Sequence, residues 1–342
     1  GTSNLIINVG SGTTTTFTNI TASTFTSGSD TLRINGAAGN ENITSPPTLA
    51  TTIDGGDGAD TLIGGNVNDV YIFDTNDVDA GESITDSGGS ADVVAIATTT
   101  DFVNMPNASL DDIEQIRFAG ANQTATFTGA QLTGETLSLT ETATGTSNLI
   151  INVASGTTAT FTNMSAGSGF VSGSDTITIN AGGTSNIAGP DIATTINGNS
   201  SGDVLSGGSE NDVINGLNGD DTIDGGDGSD TLTGGVGSDV YLFNTNDVDA
   251  NESITEVSSD AGTDVVAIVT DTNFSNMTSE SFDNIEQIRF AGANKTGTFT
   301  GAQLTGEMLA LTETSVGTSN LVINVASGTT ATFTALAANT FS

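Results

Sequence analysis

The chain of 342 residues contains no histidine, no cysteine and no tryptophan, and it holds only four prolines, two tyrosines and four lysine or arginine residues. Without histidine or cysteine there is no Ser-His-Asp triad, no papain-like dyad and no HExxH zinc site. Carboxylate-only chemistry of the glycosidase kind stays open on composition, because acidic residues abound. The aromatic platforms of a sugar cleft are missing, however, and the chain reads as a protein that is not an enzyme. Four cations against 41 acidic groups leave a formal charge of −37. Nucleic acid and anionic membrane surfaces both require Lys and Arg, so neither is expected as a partner. No apolar run approaches the ~20 residues of a membrane span. A cysteine-free extracellular chain needs another staple, and metal is the usual one.

What is present is a repeat. Residues 198–242 divide into five consecutive nine-residue units, GNSSGDVLS, GGSENDVIN, GLNGDDTID, GGDGSDTLT and GGVGSDVYL. Each has Asp at its sixth position (Asp203, Asp212, Asp221, Asp230, Asp239) and an aliphatic or aromatic residue at its eighth (Leu205, Ile214, Ile223, Leu232, Tyr241). Glycines such as Gly207, Gly216, Gly219, Gly225, Gly228 and Gly234 permit a crowded turn with its carbonyls directed inward. The Asp that closes each turn, and Asp227 within one, add hard anionic oxygens of the kind that suit calcium. The triplet around the eighth residue is a strand just long enough to send one side chain into a core. Two units make one coil of a parallel β-helix, so turns 18 residues apart stack. Asp203, Asp221 and Asp239 are expected on one edge and Asp212 with Asp230 on the other, giving about three complete calcium sites.

The units GGDGSDTLT (225–233), GGVGSDVYL (234–242) and GGDGADTLI (55–63) closely resemble the GGxGxDxUx nonapeptide of the RTX (repeat-in-toxin) family. The resemblance implies a calcium-loaded β-roll in a protein exported by a type I system. GNSSGDVLS lacks the second and fourth glycines of the pattern and GLNGDDTID the second, so weaker binding is expected at the first and third turns.

Self-comparison shows the organisation. GTSNLIINVGSGTTTTFT at Gly1 returns at Gly145 and Gly317, at offsets of 144 and 172 residues. The difference, 172 − 144, is close to three nonapeptides, so the second copy carries that many more. Because the chain starts and stops inside one unit, a segment of a longer array is expected. The boundaries read as a β-rich segment 1–44, a short roll 45–73, a β-rich solenoid segment 74–144, a β-rich segment 145–188, a long roll 189–243, a second solenoid segment 244–316 and the start of a third copy at 317–342. The Pro-containing stretches at 45–54 and 189–197 read as degenerate turns leading into the rolls. The first roll holds two good units, which place Asp60 and Asp69 on opposite edges without well-matched stacking partners; Asp57 and flanking turns would have to complete any ion site.

Beyond the rolls, DTNDVDAGESITD (74–86) and NTNDVDANESITE (244–256) are acidic but fail the EF-hand pattern, with Val78 at the fifth position. They read as solvated loops, with a second calcium site from Asp77, Asp79 and Glu82, and from Asp247, Asp249 and Glu252, as the alternative. Val93 to Ile96 reads as a strand buried on both faces. IEQIRF fits a short helical turn or a solenoid bend, and Arg117 and Arg289 are assigned to salt bridges with Glu114 or Glu286. The fold class expected is therefore all-β, parallel β-roll and β-solenoid, with little helix. The closing LAANTFS is too uninformative to be taken as an export signal.

These readings converge on a secreted, extracellular, calcium-dependent repeat protein of the bacterial cell surface, self-associating into an S-layer lattice or fibre. An extender or ligand-binding region of a type I-secreted adhesin is the alternative. A surface polysaccharide is carried as a further partner. Threonine runs such as TTTTFT are too short and too far apart for a flat ice-binding array.

Overall fold

The structure, a computed structural model, describes residues 3–21, 30–257, 261–333 and 337–338. Apart from Ala337–Ala338, the closing LAANTFS lies outside the described residues. Helix among the described residues is confined to Gly129–Leu132 and two short 3-10 turns, Asn107–Ser109 and Ser279–Phe282. The rest of the regular structure is short strand, paired in parallel.

Two compact units are present, Gly1–Asn152 with Asn163–Ile177, and Val153–Thr162 with Thr178–Ser342. In the first, successive strands alternate between sheets. Thr31–Asn35, Thr51–Asp54, Val70–Phe73, Val93–Ile96, Gln115–Phe118 and Ser138–Glu141 stack in one sheet, and Asn42–Thr44, Thr61–Ile63 and Ser83–Thr85 in another. In the second, Asn186–Ala188, Val204–Gly208, Thr222–Gly226, Val240–Phe243, Val265–Ile268, Gln287–Phe290 and Ala310–Glu313 form one stack. Val213–Asn218, Thr231–Val236 and Ser253–Thr255 belong to another. Each unit is built as a β-solenoid, and its roll is the segment with the shortest coils.

The register explains why one apolar residue per short strand suffices. Ile187, Leu205, Ile223, Tyr241, Val266, Ile288 and Leu311 are consecutive partners across the stacked strands. Ile34, Ile53, Tyr71, Val94, Ile116 and Leu139 form the equivalent column in the first unit. Both columns are buried. Each side chain is covered by the coil above and the coil below, so burial worth about 1.5–3 kcal/mol per residue is available only in the stack.

Where the coils widen, phenylalanine fills the added width. Phe102 stacks on Phe127 at 4.5 Å between ring centroids and meets Phe73 edge-on at 5.3 Å. Phe274 repeats this against Phe299 at 4.6 Å and Phe243 at 5.1 Å, with Phe282 closing the cluster. The buried amides of Gln131 and Gln303 donate to the carbonyls of Phe102 and Met105, and of Phe274 and Met277, which satisfies the loop backbone inside.

Three expectations are corrected. The acidic stretches are solvated only in part, since Asp77, Glu82, Asp247 and Glu252 are buried while Asp79 and Asp249 are exposed. IEQIRF is not a helical turn: Gln115–Phe118 and Gln287–Phe290 are strands. Among the described residues Arg117 and Arg289 make no salt bridge, and the ion pair found there is Arg33 with Asp54 at 2.7 Å. The reason is that Glu114 and Glu286 point the other way, accepting the N–H groups of Asp92 and Asp264, each at 2.8 Å. Burial lowers the pKa of Arg117 without a carboxylate partner to restore it.

Replacing Phe274 by Ala should remove about 3–5 kcal/mol of unfolding free energy. Urea titration in saturating calcium measures this, and the number of bound ions should not change because the ring supplies no oxygen ligand and meets apolar rings.

Candidate metal centre

The sixth-position Asp of every nonapeptide lies at the entry to its strand and is no more than 1% exposed. A repeated hydrogen bond holds it there. The N–H of Asp203 donates to Asp221 Oδ1 at 2.7 Å, that of Asp221 to Asp239 at 2.8 Å, and that of Asp239 to Asp264 at 2.9 Å. On the other edge the N–H of Asp212 donates to Asp230 Oδ1, and that of Asp230 to Glu252 Oε2, both at 2.7 Å. The structure thus brings Asp203, Asp221 and Asp239 into one row and Asp212 with Asp230 into a second. In the first unit Asp60 lies in a row with Glu41 and Glu82, and Asp69 in a row with Asp92 and Glu114. Asp60 and Asp69 have stacked carboxylate partners from the flanking turns.

Each row leaves some oxygens bare. Asp221 Oδ2 and Asp230 Oδ2 are buried without a hydrogen-bond partner, as are Asp60 Oδ2, Glu82 Oε1, Asp92 Oδ2 and Glu252 Oε1. By contrast, Asp203 is satisfied by the Ser185 N–H and the Asn199 amide, and Asp212 by the N–H groups of Thr194 and Gly208. A buried carboxylate oxygen facing nothing is costly unless a cation meets it.

The first glycine of a unit exists because of this carboxylate. A Cβ on Gly207, Gly216, Gly225 or Gly234 would run into Oδ2 of Asp212, Asp221, Asp230 or Asp239, folded back over its own turn. The fourth glycine answers a backbone demand instead, since Gly219 and Gly228 take φ of 118° and 124° against the preceding coil. Where the pattern lacks its second glycine, Leu217 is driven to φ 79°. Asp57 and Asp227 project outward from their turns, yet Asp57 lies with Asp74 and Asp77 in a group whose ligand atoms fall within 4.8 Å of one another.

Crowded, buried carboxylates hold protons strongly. Burial is the largest cause, backbone N–H donors offset it in part, and neighbouring acids add to it. Asp60, Asp69, Asp77, Asp212 and Asp230 are raised to about 7, and Asp92 and Asp221 to about 6. Glu82 and Glu252, at the row ends, reach about 9. Hard oxygens converging on glycine turns, with bare buried atoms among them, fit a hard divalent ion.

The sequence profile of the RTX calcium-binding nonapeptide repeat matches residues 52–71, 197–232 and 206–241, with four copies. The two rolls are RTX calcium-binding repeats. Their cofactor is Ca2+. The chain matches no curated protein and no solved structure.

Beyond the RTX units the rows continue through residues that glycine patterns do not reveal. Glu41, Glu82, Asp92, Glu114, Glu252, Asp264 and Glu286 all carry on the ladder. The signal was present in a reduced form: GAAGNENIT, DVDAGESIT, SGGSADVVA and SLDDIEQIR each keep an acid at position six and an apolar residue at position eight.

Two outcomes follow from the site. The raised carboxylates sit above their unfolded values, so the metal-free fold gains stability that is complete below about pH 4 and lost progressively as pH rises through about 6 to about 9. Calcium, which needs the charged form, reverses the trend. Thermal melts by circular dichroism should show the chelator-treated protein melting higher at about pH 4.5 than at about pH 8, and the calcium-loaded protein the opposite. Secondly, Leu217→Gly should add about 0.5–1 kcal/mol by relieving the left-handed leucine, net of glycine's greater freedom in the unfolded chain. Denaturant melts in calcium check it.

Proposed function

We propose that this is a calcium-dependent structural repeat protein of the bacterial cell surface, secreted and assembling with itself into an S-layer lattice or an extracellular fibre. The observation that carries the reading is the stack of buried carboxylate rows at the edges of both rolls, in a chain whose formal charge is −37. Without a cation, bare buried oxygens and self-repulsion oppose the stack; with one, they hold it together. In this reading Asp221 and Asp230 are the principal side-chain ligands of the long roll and Asp60 that of the short one. Asp203, Asp212, Asp239 and Asp69 complete the rows, and the glycine turns supply carbonyls.

The mechanism is ion-coupled ordering. The chain stays expanded where calcium is scarce and folds where it reaches about the millimolar range, the regime of extracellular calcium modules. At free calcium about 100 times the dissociation constant, one site adds about 2.7 kcal/mol, so a few sites decide the state of the rolls. The segments 45–73 and 189–243 are the responsive parts. The stretches between them keep apolar columns and phenylalanine clusters of their own. No helix among the described residues is long and apolar enough to cross a membrane.

Substituting Asp221→Asn should raise the calcium concentration that half-completes the β signal by about tenfold or more. Asp203→Asn should have a much smaller effect, because Asp203 has one acidic neighbour in its row, with Ser185 before it, whereas Asp221 lies between Asp203 and Asp239. Circular dichroism with calcium titration and EGTA reversal measures both, and a β signal indifferent to EGTA would sink the calcium reading. Negative-stain microscopy of the loaded protein tests assembly: sheets or fibres are expected, and isolated rods would favour an adhesin tether instead.

A further inference from the structure

At the exit of each roll a second kind of carboxylate group forms, in which the sixth-position Asp of the last nonapeptide meets two acids from beyond it. In the first unit Asp69, Asp86 and Asp92 are all buried, and their ligand oxygens lie within 4.8 Å of one another. Asp86 and Asp92 fall outside the residues matched by the RTX profile. The second unit repeats the group with Asp239, Glu256 and Asp264. Acidic groups alone do not make a site, but here Asp92, 0% exposed, presents Oδ2 with no hydrogen-bond partner, while its Oδ1 accepts the Asp69 N–H at 2.6 Å.

The surroundings are built to hold these oxygens. The buried phenol of Tyr71 donates to Asp86 Oδ2 at 2.6 Å, and the N–H of Gly88 donates to Asp86 Oδ1 at 2.9 Å. A Cβ on Gly64 would collide with the Tyr71 hydroxyl and the Asp86 carboxylate, and one on Gly89 with Asp92. In the second unit the Tyr241 hydroxyl likewise donates to Glu256, and a Cβ on Gly234 would strike Asp239, Glu256 and Tyr241 together. Glycine is thus retained where the oxygens converge.

We propose that each roll ends in a divalent-cation site made of three side-chain carboxylates, Asp69, Asp86 and Asp92 in the first and Asp239, Glu256 and Asp264 in the second, with calcium as the ion. Hard oxygen donors and no nitrogen or sulfur select calcium over transition metals. The site lies where the ladder step lengthens from 18 residues, Thr51 to Asp69, to 23, Asp69 to Asp92. In the second unit the step grows from 18 to 25 residues, Asp221 to Asp239 and then Asp264. Its role is to pin the acidic loop to the last RTX turn and so join the roll to the wider coils. This rests on the calcium reading above.

The test uses the full chain. Native mass spectrometry should show that Asp86→Asn with Glu256→Gln binds about two fewer calcium ions than the wild type, with the calcium-induced β signal retained. Terbium supplies the second readout, since Tyr71 and Tyr241 are the chain's two tyrosines and it has no tryptophan. Wild-type protein should give tyrosine-sensitised terbium emission that survives Asp221→Asn but is lost in the double variant. Equal ion counts in wild type and double variant, or sensitised emission that the double variant leaves intact, overturn this proposal alone. A wild type that binds no calcium overturns the RTX reading with it. If the double variant fails to fold, absence of sensitised emission from the wild type still overturns the site.

Discussion

A backbone N–H at the sixth position of one coil donates to the side chain at the sixth position of the next, and the rest of the molecule depends on keeping that row in line. The bond fixes the register between coils, and register is what places each eighth-position side chain over its neighbour in the apolar column. It also ties each acid to the coil before it. One residue type at one position therefore sets alignment, burial and charge together. The cost is a file of carboxylates at spacings of about 4.8 Å, out of water and mutually repelling.

The protein answers that cost differently along its length. At the start of the long roll, Asp203 and Asp212 have both oxygens occupied by N–H groups or an amide. In the middle, Asp221 and Asp230 keep one oxygen bare. Away from the rolls Glu114 and Glu286 keep an acid at this position, while uncharged groups hold it elsewhere: the Ser147 hydroxyl accepts the Gln123 N–H at 3.4 Å and the Ser319 hydroxyl the Lys295 N–H at 3.2 Å. The ladder is thus common to both units, and it leaves bare buried carboxylate oxygens in coils such as those of Asp60, Asp221 and Asp230. Wide coils gain their stability from phenylalanine clusters, and narrow coils have no room for them.

The RTX units were legible because their glycines are a local necessity. A turn that folds a carboxylate over its own first residue cannot accept a Cβ there, so Gly207, Gly216, Gly225 and Gly234 announce the geometry within nine letters. Tandem repetition made the edge assignment a matter of counting by 18. The remaining ladder acids were harder to find. Glu82 and Asp92 extend their rows across steps of 22 and 23 residues, where no fixed period survives and inserted loops obscure the spacing. Their neighbours, Asp77 and Asp86, look like members of a solvated acidic run until the fold buries them.

The sequence by itself determined that the chain is β-rich, repetitive, built on calcium-binding nonapeptides and without the residues of the common hydrolytic triads. Those properties follow from composition and from contacts within a single turn. Tertiary structure alone decided where the rows end, that Glu114 and Glu286 serve the ladder rather than Arg117 and Arg289, and that Asp69, Asp86 and Asp92 meet beside a tyrosine. The physical reason is stacking. A carboxylate's partner in this fold lies one coil away, and coil length, which varies from 18 to 28 residues along the ladder, is set by how loops pack rather than by any local signal.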